Sequence, residues 1–298
     1  MESNEKLFEN NPEKISSDEI KFKKINRVLI LLIVLLIVAI VVLLILYFKK
    51  DSDSDSEKKS SDESDKTSDE SPFNIIEEDL DTHLVPKSGK YDYVLIFMHG
   101  LTGNSTENLD KFNKKDGPIP DNFKIILPCA PTAFVTRLNF TTTSWFDVLG
   151  ENMAPIYEKD MVVSDMEKNS ERIKQIIEKE VKNVQNNYKR IFIGGFSQGA
   201  CMSYHIGLSF EHTLGGIIPF CGIPVTQTQI NEDNIENLNI FGIFGGQDIF
   251  IKLDYAVNQT LTVLANFTKL KIEIFKDEIH EVNEIELEYV KTFIKSLL

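Results

Sequence analysis

Residues Arg190 to Leu208 read R-I-F-I-G-G-F-S-Q-G-A-C-M-S-Y-H-I-G-L, and this stretch decides the fold. A β-rich run at Ile191, Phe192 and Ile193 meets Gly194 and Gly195, then Ser197, then Gly199 and Ala200, and a segment of helical length follows. The succession predicts a strand, a sharp turn and a helix. Within the G-x-S-x-G pattern, Gly195 and Gly199 form the nucleophile elbow: they remove side chains that would collide in the tight turn and so lift the Ser197 hydroxyl into an open site. The bland alternative is a Gly-rich loop with a bystander serine. It leaves the strand before and the small residues after without a reason.

Outward from this stretch, apolar β-rich runs alternate with helical patterns from Pro72 onward. That is the signature of an α/β domain, a mostly parallel sheet flanked by helices. The expected strands are Tyr91 to Met98, Phe123 to Leu127, Arg190 to Gly194, Leu214 to Phe220, Ile240 to Phe244 and Lys269 to Phe275. Their near-continuous apolar character suits strands covered on both faces. Met166, Ile173, Ile177, Val181 and Val184 recur at helical spacing, as do Val282, Ile285, Tyr289, Phe293 and Leu297. Both stripes are expected to be core.

A serine hydroxyl needs a base to take its proton. Of the five histidines, His83 precedes the first expected strand, His99 ends it, and His205 and His212 lie on or after the helix behind Ser197. His280 is best placed, in the loop after the last strand, where an open α/β sheet presents its site. The acid expected between nucleophile and base in chain order is Asp248, delivered by Gly245-Gly246-Gln247 at the end of a strand. Asp254 is the alternative, and Asp147 lies on the wrong side of Ser197. Two backbone N–H groups are also required for the developing oxyanion, one of them from the residue after the nucleophile, Gln198. For the other, Met98-His99-Gly100-Leu101-Thr102-Gly103 leaves the first strand through a glycine turn, which selects Leu101. No metal or organic cofactor is implied.

Before this domain the chain changes character. Val28 to Phe48 is 21 residues without a charge, the length that crosses a hydrocarbon core of roughly 30 Å. It reads as an uncleaved signal anchor, because a signal peptide has a shorter apolar region and a small-residue cleavage site. Lys21, Lys23, Lys24 and Arg27 against Lys49 and Lys50 favour a cytoplasmic N-terminus and a lumenal or extracellular catalytic domain. The sequons at Asn104, Asn139, Asn258 and Asn266 all follow the span, as lumenal glycosylation requires. Residues 1–27 form a polar tail and 49–72 an acidic Ser/Asp-rich linker, expected to be a disordered tether. The catalytic domain is then residues 73–298. With a net charge of −14, nothing suits nucleic acid. Cys129, Cys201 and Cys221 show no C-x-x-C spacing and read as buried free thiols.

The chain resembles the acyl-protein thioesterase and carboxylesterase family of α/β-hydrolases, also described as phospholipase/carboxylesterases, over roughly residues 85–298. The resemblance rests on H-G-L at His99 to Leu101, L-P-C-A-P at Leu127 to Pro131, S-W-F-D at Ser144 to Asp147, G-G-F-S-Q-G at Gly194 to Gly199, and the Asp248 and His280 loops. It implies an α/β-hydrolase fold, a Ser197–Asp248–His280 triad, oxyanion donors Leu101 and Gln198, and hydrolysis of thioesters such as palmitoyl-cysteine or of carboxylic esters. It also places Trp145 and Phe146 near an acyl channel, though core aromatics would read the same. The sequence departs from the family in several places: Phe244-Gly245 stands where the acid loop usually opens His-Gly, Ile249 where Pro usually follows the acid, Leu-Thr-Gly where Leu-Gly-Asp is common. Members are typically soluble and cytosolic, whereas here a lipid bilayer is an expected partner through residues 28–48. The leading expectation is a membrane-anchored acyl-thioester or ester hydrolase. Alternatives are a carboxylesterase or lysophospholipase acting on small or lipid esters, and a catalytically silent tethered binding module.

Overall fold

The structure, a computed structural model, describes residues 71–298. The expected span at Val28 to Phe48, the tail and nearly all of the linker lie outside these residues. Among the described residues no helix is long and apolar enough to cross a membrane.

Among the described residues ten strands form, β1 (Phe73–Glu78), β2 (Asp81–Pro86), β3 (Tyr93–Met98), β4 (Phe123–Leu127), β5 (Thr132–Val135), β6 (Phe140–Thr143), β7 (Ile191–Phe196), β8 (Gly216–Phe220), β9 (Ile240–Gly245) and β10 (Leu270–Phe275). The helices are α1 (Leu109–Phe112), α2 (Val163–Val181), α3 (Gln198–Ser209), α4 (Glu232–Asn237), α5 (Leu253–Val263) and α6 (Glu284–Lys295). Eight strands make one sheet in the order β1-β2-β4-β3-β7-β8-β9-β10. From β4 to β10 every pairing is parallel, while β1 and β2 add an antiparallel edge. This is an α/β-hydrolase fold.

Alternation along the strands divides the core in two. Val94, Ile96 and Met98 of β3, with Ile191 and Ile193 of β7, pack with α2 and α3 on one face, whereas Leu95, Phe97 and Phe192 pack with α1 and α6 on the other. A period of two puts successive side chains on opposite faces, so a run apolar at every position must be covered twice. From Gln198 to Leu208, α3 is buried at every residue, so apolar side chains recur around it and the few polar ones, Gln198, Ser203 and His205, are buried with them.

Four strands were not expected from the pattern. β1 exposes Asn74 to Glu78, β2 mixes Asp81, Thr82 and His83 into a buried edge, and β5 and β6 form a short separate hairpin with mostly exposed residues. Such strands are held by pairing and lack the apolar run by which a strand is recognised. The stripe on α2 is core as expected. The C-terminal stripe is core only in part: Val282 is buried and Phe293 packs on Phe241, whereas Ile285, Tyr289 and Leu297 are exposed and α6 turns Leu287, Val290 and Ile294 inward. Both sets have helical spacing, and the fit against Phe241 and Ile243 of β9 chooses between them. Of the thiols, Cys201 and Cys221 are buried and unpaired, while Cys129 is only partly covered.

Burying the inner face of α6 also buries Glu286. Its backbone N–H donates to Asn283 Oδ1 at 2.9 Å, and its Oε2 accepts the Asn283 N–H at 3.1 Å, a capping box that starts the helix. Burial pushes this carboxyl up to about 7. An acid whose folded-state pKa is raised contributes full stability below its unfolded value near 4.5 and loses that contribution as pH rises through about 7. Glu286→Gln is therefore expected to gain on the parent as pH rises from 4.5 to 8, by up to roughly 3 kcal/mol at 1.36 kcal/mol per unit. Denaturant unfolding at several pH values checks this, and parallel curves for the two proteins would refute it.

Candidate active site

Ser197 joins β7 to α3 at φ 54° and ψ −113°, a strained conformation for a residue with a side chain. Close packing holds it there. A Cβ on Gly195 would collide with the Gly199 backbone, and one on Gly199 with the Met98 carbonyl at the end of β3. The Ser197 N–H donates to Phe220 O of β8 at 2.9 Å.

β9 and β10 end side by side, and their following loops are joined by backbone bonds. The Gly246 N–H donates to Phe275 O and the Gln247 N–H to Glu278 O, each at 2.8 Å. Gly245 and Gly246 allow this approach, since a Cβ on either would strike the carbonyl of Ile279 or Lys276. Gly245 and Gly246 thus let the loop that carries His280 close on the loop that carries Asp248. Asp248 and His280 emerge together.

His280 Nε2 lies 2.8 Å from Ser197 Oγ, and His280 Nδ1 lies 2.6 Å from Asp248 Oδ2. The other oxygen, Asp248 Oδ1, accepts the N–H groups of Phe250 at 2.8 Å and Ile251 at 2.9 Å. Two backbone donors fix the carboxylate and leave Oδ2 for the imidazole, so that Nδ1 carries the proton and Nε2 is free to accept one. Phe196 and Phe250 flank the imidazole, with centroids 4.8 and 5.2 Å from it. Beside Asp248 and His280, Ile249 and Ile279 are exposed, as are the polar Gln247 and Glu281.

Leu101 follows β3 through Gly100, and Gln198 is the first residue of α3. Their N–H groups donate to no acceptor among the described residues. That of Gln198 is an orphan donor at the positive end of a helix. The Leu101 loop is held from below and from the side. His99 donates from Nδ1 to Gly100 O at 2.6 Å and accepts the Ala130 N–H on Nε2 at 2.9 Å, and burial lowers its pKa, so it is a neutral strut. The β6 end binds the next residues, Thr102 N–H to Thr143 O at 3.0 Å and Thr143 Oγ1 to Gly103 O at 2.6 Å.

The remaining candidates separate on position. His205 bonds Thr228 Oγ1 at 3.0 Å, His212 stacks on Tyr188, and His83 is buried on β2; none meets Ser197. Asp147 accepts the Thr136 N–H and hydroxyl at the hairpin, and Asp254 accepts the Tyr255 N–H on α5. Trp145 and Phe146 are buried in the core beside α2. Their loop folds over Gln198. Its Oε1 accepts the Trp145 N–H at 3.0 Å, and its Nε2 donates to Phe146 O at 2.7 Å and Ser144 Oγ at 3.1 Å. Trp145 Nε1 reaches His99 O at 2.9 Å. The Gln198 side chain, read only as a bearer of a backbone donor, proves to be a clamp. A polar residue directly after Ser197, answered by Ser144, was the available signal. A polar cavity of about 570 Å³ between α2, α3 and residues 229–231 contains none of the triad residues.

Known proteins share this arrangement of elements. The chain is 30% identical over 216 residues to acyl-protein thioesterase 1 homolog 2 of Dictyostelium discoideum, covering 68% of this chain and 92% of that one. To acyl-protein thioesterase 1 of Eremothecium gossypii it is 27% identical over 215 residues, covering 69% of this chain and 88% of that one. The crystal structure of Zea mays acyl-protein thioesterase 2 superposes with a TM-score of 0.62 at 19% identity, covering 73% of this chain and 98% of that one. Arabidopsis thaliana SOBER1 does so at 0.58 and 22%, covering 69% and 98%. Residues 81–298 match the family model described as Phospholipase/Carboxylesterase, so the chain belongs to the phospholipase/carboxylesterase family of α/β-hydrolases and is a serine hydrolase of the acyl-protein thioesterase and carboxylesterase kind.

Proposed function

We propose that the chain is a membrane-anchored hydrolase of acyl thioesters or carboxylic esters that works through an acyl-Ser197 intermediate. The observation that carries this is the hydrogen-bonded line from Ser197 Oγ through His280 to Asp248. His280 Nε2 takes the hydroxyl proton as Oγ attacks the acyl carbon, and Asp248 stabilises the imidazolium. The carbonyl oxygen becomes an oxyanion that accepts the N–H groups of Leu101 and Gln198, each such donor supplying on the order of 3 kcal/mol. His280 then protonates the departing thiol or alcohol. Water activated by the same nitrogen releases the acid and restores Ser197.

Phe196 and Phe250 against the imidazole and the exposed Ile249 and Ile279 beside it support an acyl chain as the recognised part. Anchoring rests on the uncharged run Val28 to Phe48, and the lumenal or extracellular orientation on the basic flank before it. All four sequon asparagines are exposed, which suits glycosylation on that side. Such an orientation favours the second reading, a carboxylesterase or lysophospholipase acting on esters of small molecules or lipids, because cytosolic acyl-proteins would lie across the bilayer.

A fluorophosphonate is expected to label the chain, and Ser197→Ala to abolish the label; labelling that survives would end the assignment. Asp248→Asn removes the acceptor that sets the His280 tautomer and is expected to lower kcat by roughly 10³–10⁴-fold with KM little changed. Glycosidase treatment of the membrane-inserted chain should increase its mobility, an effect lost when all four sequon asparagines become Gln. Digestion of the domain from the cytosolic side of sealed microsomes, without a glycosidase shift, would reverse the orientation and restore acyl-proteins as substrates.

A further inference from the structure

Cys221 follows β8 directly, at φ 51°, and is buried against the acid and base loops, its Sγ 3.8 Å from Glu281 O. The hydrolytic steps above give it no task. Yet its sulfur, a carboxylate oxygen of Asp248 and a ring nitrogen of His280 all lie within 4.8 Å of one another. Thiolate, carboxylate and imidazole are the ligand set of zinc, which binds each at about 2.0–2.3 Å and so separates them by roughly 3–4 Å. Side-chain shifts of about 1 Å would close the site on an ion.

The surroundings suit a cation. Glu286 is buried with Oε1 unpartnered among the described residues. Burial first, then the Asp248 charge, with a smaller effect from Glu286, pushes the Cys221 thiol up. A hard cation such as magnesium gains little from a thiolate and an imidazole.

We propose that Cys221, Asp248 and His280 form an inhibitory site for a thiophilic divalent cation, of which zinc is the natural example. Its inhibitory effect rests on the catalytic reading of Asp248 and His280, whereas the binding itself does not. On binding, the thiol proton leaves to solvent and the metal takes the Nδ1 lone pair of His280. The ring proton passes from Nδ1 to Nε2, so the imidazole stays neutral and one proton is released per ion. Nε2 then donates to Ser197 Oγ and no longer accepts from it. This is the tautomer in which the histidine cannot serve as base.

The test uses the full chain. Zinc is expected to lower fluorophosphonate labelling at least tenfold, by roughly the effect of a wrong tautomer, while magnesium and calcium leave it unchanged. Cys221→Ser and Cys221→Ala should be labelled as well as the parent and stay labelled in zinc. Cobalt added in place of zinc should give a thiolate-to-metal charge-transfer band in the near ultraviolet, absent from both variants. Equal zinc inhibition of parent and variants, or no such band with the parent, overturns the site. A parent that is not labelled even without zinc would instead count against the triad, and the cobalt spectrum would still decide the metal site.

Discussion

The backbone of Ser197, held at positive φ between β7 and α3, is the constraint on which the rest of the site depends. A strained residue persists only where its surroundings over-determine it. Here they do so through close backbone contact, Gly195 against Gly199 and Gly199 against the end of β3, and through the bond from Ser197 N–H to β8. The central helix must therefore approach the sheet closely, and that approach accounts for its burial at every position from Gln198 to Leu208.

From that point the sheet arranges everything else. Parallel pairing places the carboxyl ends of β3, β7, β9 and β10 along one edge, so the loops bearing Leu101, Ser197, Asp248 and His280 converge without any being near another in sequence. Precision comes from polar clamps. Gln198 holds the Ser144 to Phe146 loop, His99 braces the Leu101 loop, and two N–H groups grip the far oxygen of Asp248. Each clamp satisfies buried polar atoms that would otherwise be costly, and each orients a group at the site as it does so.

Local patterns determined much of this protein by themselves. The strand–turn–helix around Ser197, the parallel core strands and the order of Ser197, Asp248 and His280 follow from glycine placement, apolar runs and strand-end positions, all of which act over a few residues. The β1–β2 pair and the β5–β6 hairpin escaped because they are held by backbone pairing and carry no apolar run by which a strand is recognised. The inward face of α6 escaped because two apolar stripes of equal spacing competed, and only the shape of the sheet beneath could choose. The same is true of Trp145, whose place in the core is set by a bond to Gln198, 53 residues away in sequence. Spacing along a chain reports periodicity and order; which of several suitable side chains meet is decided by packing, since contact depends on the positions of every neighbouring element at once.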